Sequence, residues 1–205
     1  MPILVGAKRD NALRVAFIGD SITMGIVSGA PKSYAGWAAK ITEGLGTSVS
    51  AWNLGLGYAR ADDAVHSESW VDKAKQNDVV IICFGVNDIN SGPYQHSGQR
   101  TAAQIRDDIK TIAAEIASAG AEVIIFSTPP YTYANSTKIA VWQELCGLLE
   151  ELAENEDYKF FDFASYLWQE NDHTQPAYGG HPNAEGCAKV AEAFLASGLI
   201  EIPEE

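Results

Sequence analysis

The chain has 205 residues with 14 Lys and Arg against 27 Asp and Glu, a formal net charge of −13. A hydrophobic share of 46% excludes a mainly disordered chain. The negative field repels a phosphate backbone, which argues against nucleic acid as a partner.

The chain opens with a short apolar stretch followed by Lys8 and Arg9, the reverse of a secretory signal. That order favours a cytoplasmic location. Residues 14–18 form an apolar run that stops at Gly19, as a buried strand would. A helical pattern follows over 34–45, a strand over 48–54, a helix over 62–76 and a strand over 78–84. The run 79–86 is the longest apolar segment and falls well short of the roughly 18 residues a membrane span needs. In 99–119, Ile105, Ile109, Ile112 and Ile116 recur at the spacing of one helix face, and Gly120 is placed to end that helix. Residues 121–126 read as a fourth strand, 138–154 as a helix and 159–163 as a fifth strand. Asn183, a good N-cap, opens a last helix reaching Ala196.

Continuous apolar strands alternating with helices imply a parallel sheet covered on both faces. The expectation is a three-layer α/β/α sandwich with five strands in flavodoxin-like order 2-1-3-4-5. No linker or internal repeat interrupts it, so residues 1–205 read as one domain. Cys83, Cys146 and Cys187 lack C-x-x-C spacing and read as core thiols. The five tryptophans, at 37, 52, 70, 142 and 168, read as packing residues.

In such a sheet every strand's carboxyl end lies on one edge, where ligands bind. The segments just past the strands are Gly19–Gly25, 53–58, 85–88 and 179–183. They bring a hydroxyl, glycine-rich backbone, a carboxamide and an imidazole to one crevice. Those groups suit acyl transfer. A serine hydroxyl needs a base to take its proton, and His181 can do so near neutrality. The oxyanion needs fixed donors. Ser21 N–H, a backbone N–H at Gly57 or Tyr58, and the Asn87 side chain could supply three.

The run Phe17-Ile-Gly-Asp-Ser-Ile-Thr23 resembles the first conserved block of the SGNH hydrolases, also called GDSL esterases and lipases. Gly85-Val-Asn-Asp88 resembles their third block and His181-Pro-Asn-Ala-Glu-Gly186 their last. The resemblance implies a serine hydrolase of small-molecule carboxylic esters that needs no cofactor. Ser21 would be the nucleophile and His181 the base, with Ser21, Asn87 and the Gly57–Tyr58 loop around the oxyanion.

Two positions depart from that pattern. Tyr178 stands where the family usually has the aspartate that orients the histidine. Either another acid such as Asp172 completes a triad, or a backbone carbonyl holds the ring and a Ser–His dyad operates. Tyr58 stands where the family usually has a glycine, so its ring would line or crowd the pocket. With Asp20, Tyr131 and Tyr178 it is a candidate for the substrate side. Tyr94 and Tyr133 could join that wall, holding an acyl chain or a sugar face.

Asp20 also fits as a helix cap and Asp88 as a scaffold acid. His66, His96 and His173 have no ligand spacing, so no metal site is indicated. Gly55-Leu-Gly57-Tyr-Ala-Arg60 lacks the third small residue of a dinucleotide loop. The Asn135-Ser-Thr137 sequon carries meaning only on a secretory route. Tyr178 leaves a second reading open: a non-catalytic carbohydrate- or ligand-binding module that retains the fold. The substrate ester and the oligomeric state are not encoded in these motifs.

Overall fold

A computed structural model describes residues 3–5, 12–27, 36–90, 98–129, 136–167 and 181–202. The strands are β1 (Ile3–Val5), β2 (Leu13–Gly19), β3 (Val49–Asn53), β4 (Val79–Cys83), β5 (Glu122–Phe126) and β6 (Lys159–Phe161). The helices are α1 (Ser21–Met24), α2 (Trp37–Leu45), α3 (Ala61–Val65), α4 (Glu68–Ala74) and α5 (Val86–Asn90). Then come α6 (Ala102–Ser118), α7 (Ser136–Asn155), α8 (Phe163–Leu167) and α9 (Ala184–Ser197).

The sheet runs β1-β3-β2-β4-β5-β6. Strands β2 to β6 are parallel, which reproduces the expected 2-1-3-4-5 order. β1 adds an antiparallel edge against β3, with Leu4 opposite Trp52. Three residues are too few to show a strand period, so local pattern did not announce this edge.

Each central strand is buried on both faces, as the apolar runs require. In β4, Val79, Ile81 and Cys83 join one core with Trp37 and Ile41 of α2 and Val190 and Phe194 of α9. Val80 and Ile82 join the opposite core, with Trp70 of α4, the α6 isoleucines and Leu145 and Leu149 of α7. Ile105, Ile109, Ile112 and Ile116 are each at most 1% exposed. Burial of each contributes roughly 1.5–3 kcal/mol. Thr101 and Gln104 cap α6 reciprocally, and Gly120 leaves it with φ +90°.

Three local expectations change. The helix read over 62–76 is two helices. His66 N–H still bonds Asp62 O at 3.1 Å, but Ser67 leaves the helical region at φ −117°, ψ 80°. The second helix is re-aimed, and Trp70 Nε1 donates to Leu54 O at 2.8 Å. The strand read over 159–163 ends at Phe161, because Asp162 accepts from Ser127 Oγ at 2.9 Å and Ser165 N at 3.3 Å. Chain direction then switches into α8, and Phe163 packs against Trp37 and Phe126. Trp52 is 38% exposed, whereas Trp37, Trp70 and Trp142 are buried. Trp168 lies outside the described residues.

Candidate active site

β2 delivers Ser21. The strand ends at Gly19, where a Cβ would collide with the Thr23 side chain and the Cys83 carbonyl. Asp20 is the N-cap of α1 and accepts from Ile22 N at 2.8 Å. Ser21 therefore occupies the first helical position, where a backbone N–H has no intrahelical acceptor. Its hydroxyl meets an imidazole 160 positions away, with Ser21 Oγ and His181 Nε2 2.8 Å apart.

His181 precedes buried Pro182 and the N-cap Asn183, which accepts from Gly186 N at 2.8 Å. The cap fixes the start of α9. Packing of α9 on α2 and the sheet sets the imidazole's position over the crevice.

The segment after β3 lies directly on the Ser21 turn. Asn53 Nδ2 donates to Thr23 O at 2.7 Å, its Oδ1 accepts from Gly55 N at 2.9 Å, and Leu56 N donates to Gly19 O at 2.9 Å. Tyr58 holds φ +64°, the left-handed region, and is 60% exposed beside Leu56 at 54%. The aromatic residue thus takes the backbone conformation in which a glycine would be unstrained.

Past β4, Gly85 at φ +125° turns the chain into α5, and Ile89 N bonds Gly85 O at 3.0 Å. Asn87 Nδ2 donates to Ala59 O at 2.9 Å, which orients its carboxamide. Asp88 is fully buried and bonded to Arg100 Nη1 at 2.9 Å. Burial pushes the Asp20 carboxyl up to about 7, with nearby Asp88 adding to the rise against its backbone hydrogen bonds. Burial also pushes Asp88 up to about 6, despite Arg100, Ala61 N–H and Arg60.

Ser21, Asn87, Gly57 and Tyr58 stand on segments that leave the carboxyl ends of β2, β4 and β3, and His181, just before α9, meets that edge through Ser21. Asp20, a candidate for the substrate side, is 1% exposed, and its carboxylate accepts from Ile22 N as the cap of α1. Asp172, Tyr131 and Tyr178 lie outside the described residues, as do Tyr94, Tyr133, His96, His173 and the Asn135 sequon position. His66 is exposed, and among the described residues no three His, Cys, Asp or Glu side chains cluster as a metal site would need. Cys83 is a poor nucleophile, because burial raises its thiol well above the ordinary range. Among the described residues no helix is long and apolar enough to cross a membrane.

Motif reading missed Asn53 and the two arginines beside Asp88. Asn53 was visible as a carboxamide at a strand end two residues before a glycine. Arg60 registered only as the residue that spoils a dinucleotide loop, and nothing local links Arg100 to the crevice.

Residues 17–189 match the GDSL-like Lipase/Acylhydrolase family. An acetylxylan esterase of Xylanibacter ruminicola is 26% identical over 215 aligned residues, which cover 94% of this chain and 44% of that protein. This chain therefore spans less than half of that relative's length. The carbohydrate acetylesterase Est24 of Sinorhizobium meliloti superposes with a TM-score of 0.69 at 20% identity, covering 90% of this chain and 97% of that one. Axe2, an acetylxylan esterase of Geobacillus stearothermophilus, superposes with a TM-score of 0.72 at 18% identity and 98% coverage of both chains. These structural likenesses establish the shared fold. The ordered strand-end motifs and the match over most of the chain lead to one assignment: this protein belongs to the GDSL-like lipase/acylhydrolase family.

Proposed function

We propose that the protein hydrolyses carboxylic esters through an acyl-Ser21 intermediate. The observation that carries this reading is the 2.8 Å separation of Ser21 Oγ and His181 Nε2. His181 Nε2 takes the Ser21 proton as Oγ attacks the acyl carbon. The tetrahedral oxyanion receives hydrogen bonds from Ser21 N–H, the Gly57–Tyr58 backbone and the second N–H of Asn87. Collapse breaks the bond to the alcohol oxygen, which leaves with the proton from Nε2. Water, deprotonated by the same nitrogen, then attacks the acyl carbon, releasing the carboxylic acid and restoring the Ser21 hydroxyl.

The substrate class we favour is a short acyl group, acetyl first, on a carbohydrate hydroxyl. The acetylxylan esterase and carbohydrate acetylesterase relatives support it. So does the exposed Leu56–Tyr58 pair, an apolar lip on which a sugar face could rest.

The test compares the protein with Ser21→Ala on p-nitrophenyl acetate, acetylated xylo-oligosaccharides and a fluorophosphonate probe. Wild type should turn over the esters and take the label, and the variant should do neither. Equal labelling of both removes Ser21 from its role. Carbohydrate binding without any ester cleavage would favour the non-catalytic module instead.

A further inference from the structure

Asp88 follows Asn87 directly in α5, and the acyl-transfer scheme gives it no task. A completely buried carboxylate needs several donors to offset its lost hydration. It receives Ala61 N–H at 3.2 Å on Oδ2 and 3.3 Å on Oδ1, and Arg100 Nη1 at 2.9 Å on Oδ1. Arg60 Nε stands 3.9 Å from Oδ1. Arg100 also pairs with Asp108, while Arg60 grips Asp62 through Nε at 3.0 Å and Nη2 at 2.7 Å. Arg60 is 6% exposed, and the Arg100 side chain 14%, so solvent screens this network weakly.

Two bonds cross between the same two short segments in opposite directions. Asn87 Nδ2 donates to Ala59 O, and Ala61 N donates back to the carboxylate of the next residue, Asp88. Each segment is thereby held at two points. The Asn87 carboxamide cannot rotate without breaking the first bond. A planar amide has two N–H groups at a fixed angle, so one on Ala59 O dictates where the other points. The clamped segment also begins one residue after Tyr58, whose backbone conformation is strained. Releasing positions 59–61 would let that strain relax and move the loop.

We propose that Asp88, anchored by Arg100, is a positioning residue for the oxyanion donors, acting on Asn87 and on the Gly57–Tyr58 loop through the 59–61 backbone. The inference rests on the acyl-transfer reading above. The competing role is purely structural, an acid at the start of α3 that stabilises the fold and leaves the chemistry alone. That role predicts a lower Tm with an unchanged kcat in the folded protein.

A double-mutant cycle on p-nitrophenyl acetate at pH 8 separates the two. Asn87→Ala should lower kcat by roughly 10²-fold, the usual cost of an oxyanion donor. Asp88→Asn should lower kcat about 10-fold or more with KM within about twofold, since only a transition-state interaction is disturbed. The double variant should be no more than about threefold slower than Asn87→Ala, because the clamp has then lost its main object. Arg100→Lys keeps the charge but cannot bridge Asp88 and Asp108 with a planar fork. It should show the same kcat loss and the same non-additivity, and it carries the cycle if Asp88→Asn does not fold. Wild-type kcat in Asp88→Asn or Arg100→Lys, or a loss that multiplies in full onto Asn87→Ala, overturns the proposal. An inactive wild type, or Ser21→Ala as active as wild type, instead defeats the acyl-transfer reading and this inference with it.

Discussion

Asn53 Nδ2 donates to the carbonyl of Thr23 at 2.7 Å, tying the loop after β3 to the short helix that carries Ser21. Around that bond the two loops touch backbone to backbone. A Cβ on Gly55 would fall 2.6 Å from Met24 Cα and closer still to its nitrogen. The contact leaves no room for a side chain, and neither loop can retreat without giving up the Asn53 or Leu56 hydrogen bonds.

Gly55→Ala is therefore expected to lower stability by about 1–3 kcal/mol, in the range of overpacked sites, and to depress ester turnover. Gly57→Ala is the control. A Cβ there would meet only Met24 Sδ, at 4.0 Å, an ordinary contact. Urea denaturation of the two variants should separate them clearly, and equal midpoints would contradict the close approach.

Tyr58 sits at φ +64°, where a side chain costs roughly 1–2 kcal/mol and a glycine almost none. Glycine returns part of that gain through its larger unfolded-state entropy. Tyr58→Gly should thus be more stable than Tyr58→Ala, which keeps the strain, by about 0.5–1 kcal/mol. Chemical denaturation of the pair checks it. An alanine variant at least as stable as the glycine variant would show that the backbone there is not strained.

Asp20 and Asp88 make stability depend on pH. Their folded-state values, about 7 and about 6, lie above the ordinary carboxylate value of 3.8. Between those limits the folded chain binds more protons than the unfolded chain, so stability falls as pH rises. Their contribution is complete below about pH 4 and is lost by about pH 7. Asp78, held low by Arg14, acts in the opposite sense but only at more acidic pH. Tm should decline from pH 5 to pH 8. Asp20→Asn keeps an acceptor for Ile22 N–H and should flatten that decline; a parallel pH profile in the variant would show that Asp20 does not titrate in this window.

The strands were legible because double-sided burial writes itself into consecutive apolar residues, as at 79–83, and helix ends because caps are local, as at Asn183 and Gly120. The break between α3 and α4 was not, because the reward for it is a hydrogen bond from Trp70 to Leu54, on a different element. β1 was missed for a similar reason. Three residues have no readable period, and their pairing depends on the exposed edge of β3.

Sequence alone determined the order of the five parallel strands with the longer helices among them, and the kinds of side chain waiting at the carboxyl edge of the sheet. Those follow from hydrophobic periodicity and capping, which act over a few residues. Tertiary structure decided which of these groups touch. The 2.8 Å meeting of Ser21 and His181 across 160 positions depends on how α9 seats against the sheet. The convergence of Arg60 and Arg100 on buried Asp88 depends on how α3, α5 and α6 pack. Such contacts arise only when the core closes, because attraction between charged or hydrogen-bonding groups carries no local sequence signature of its partner.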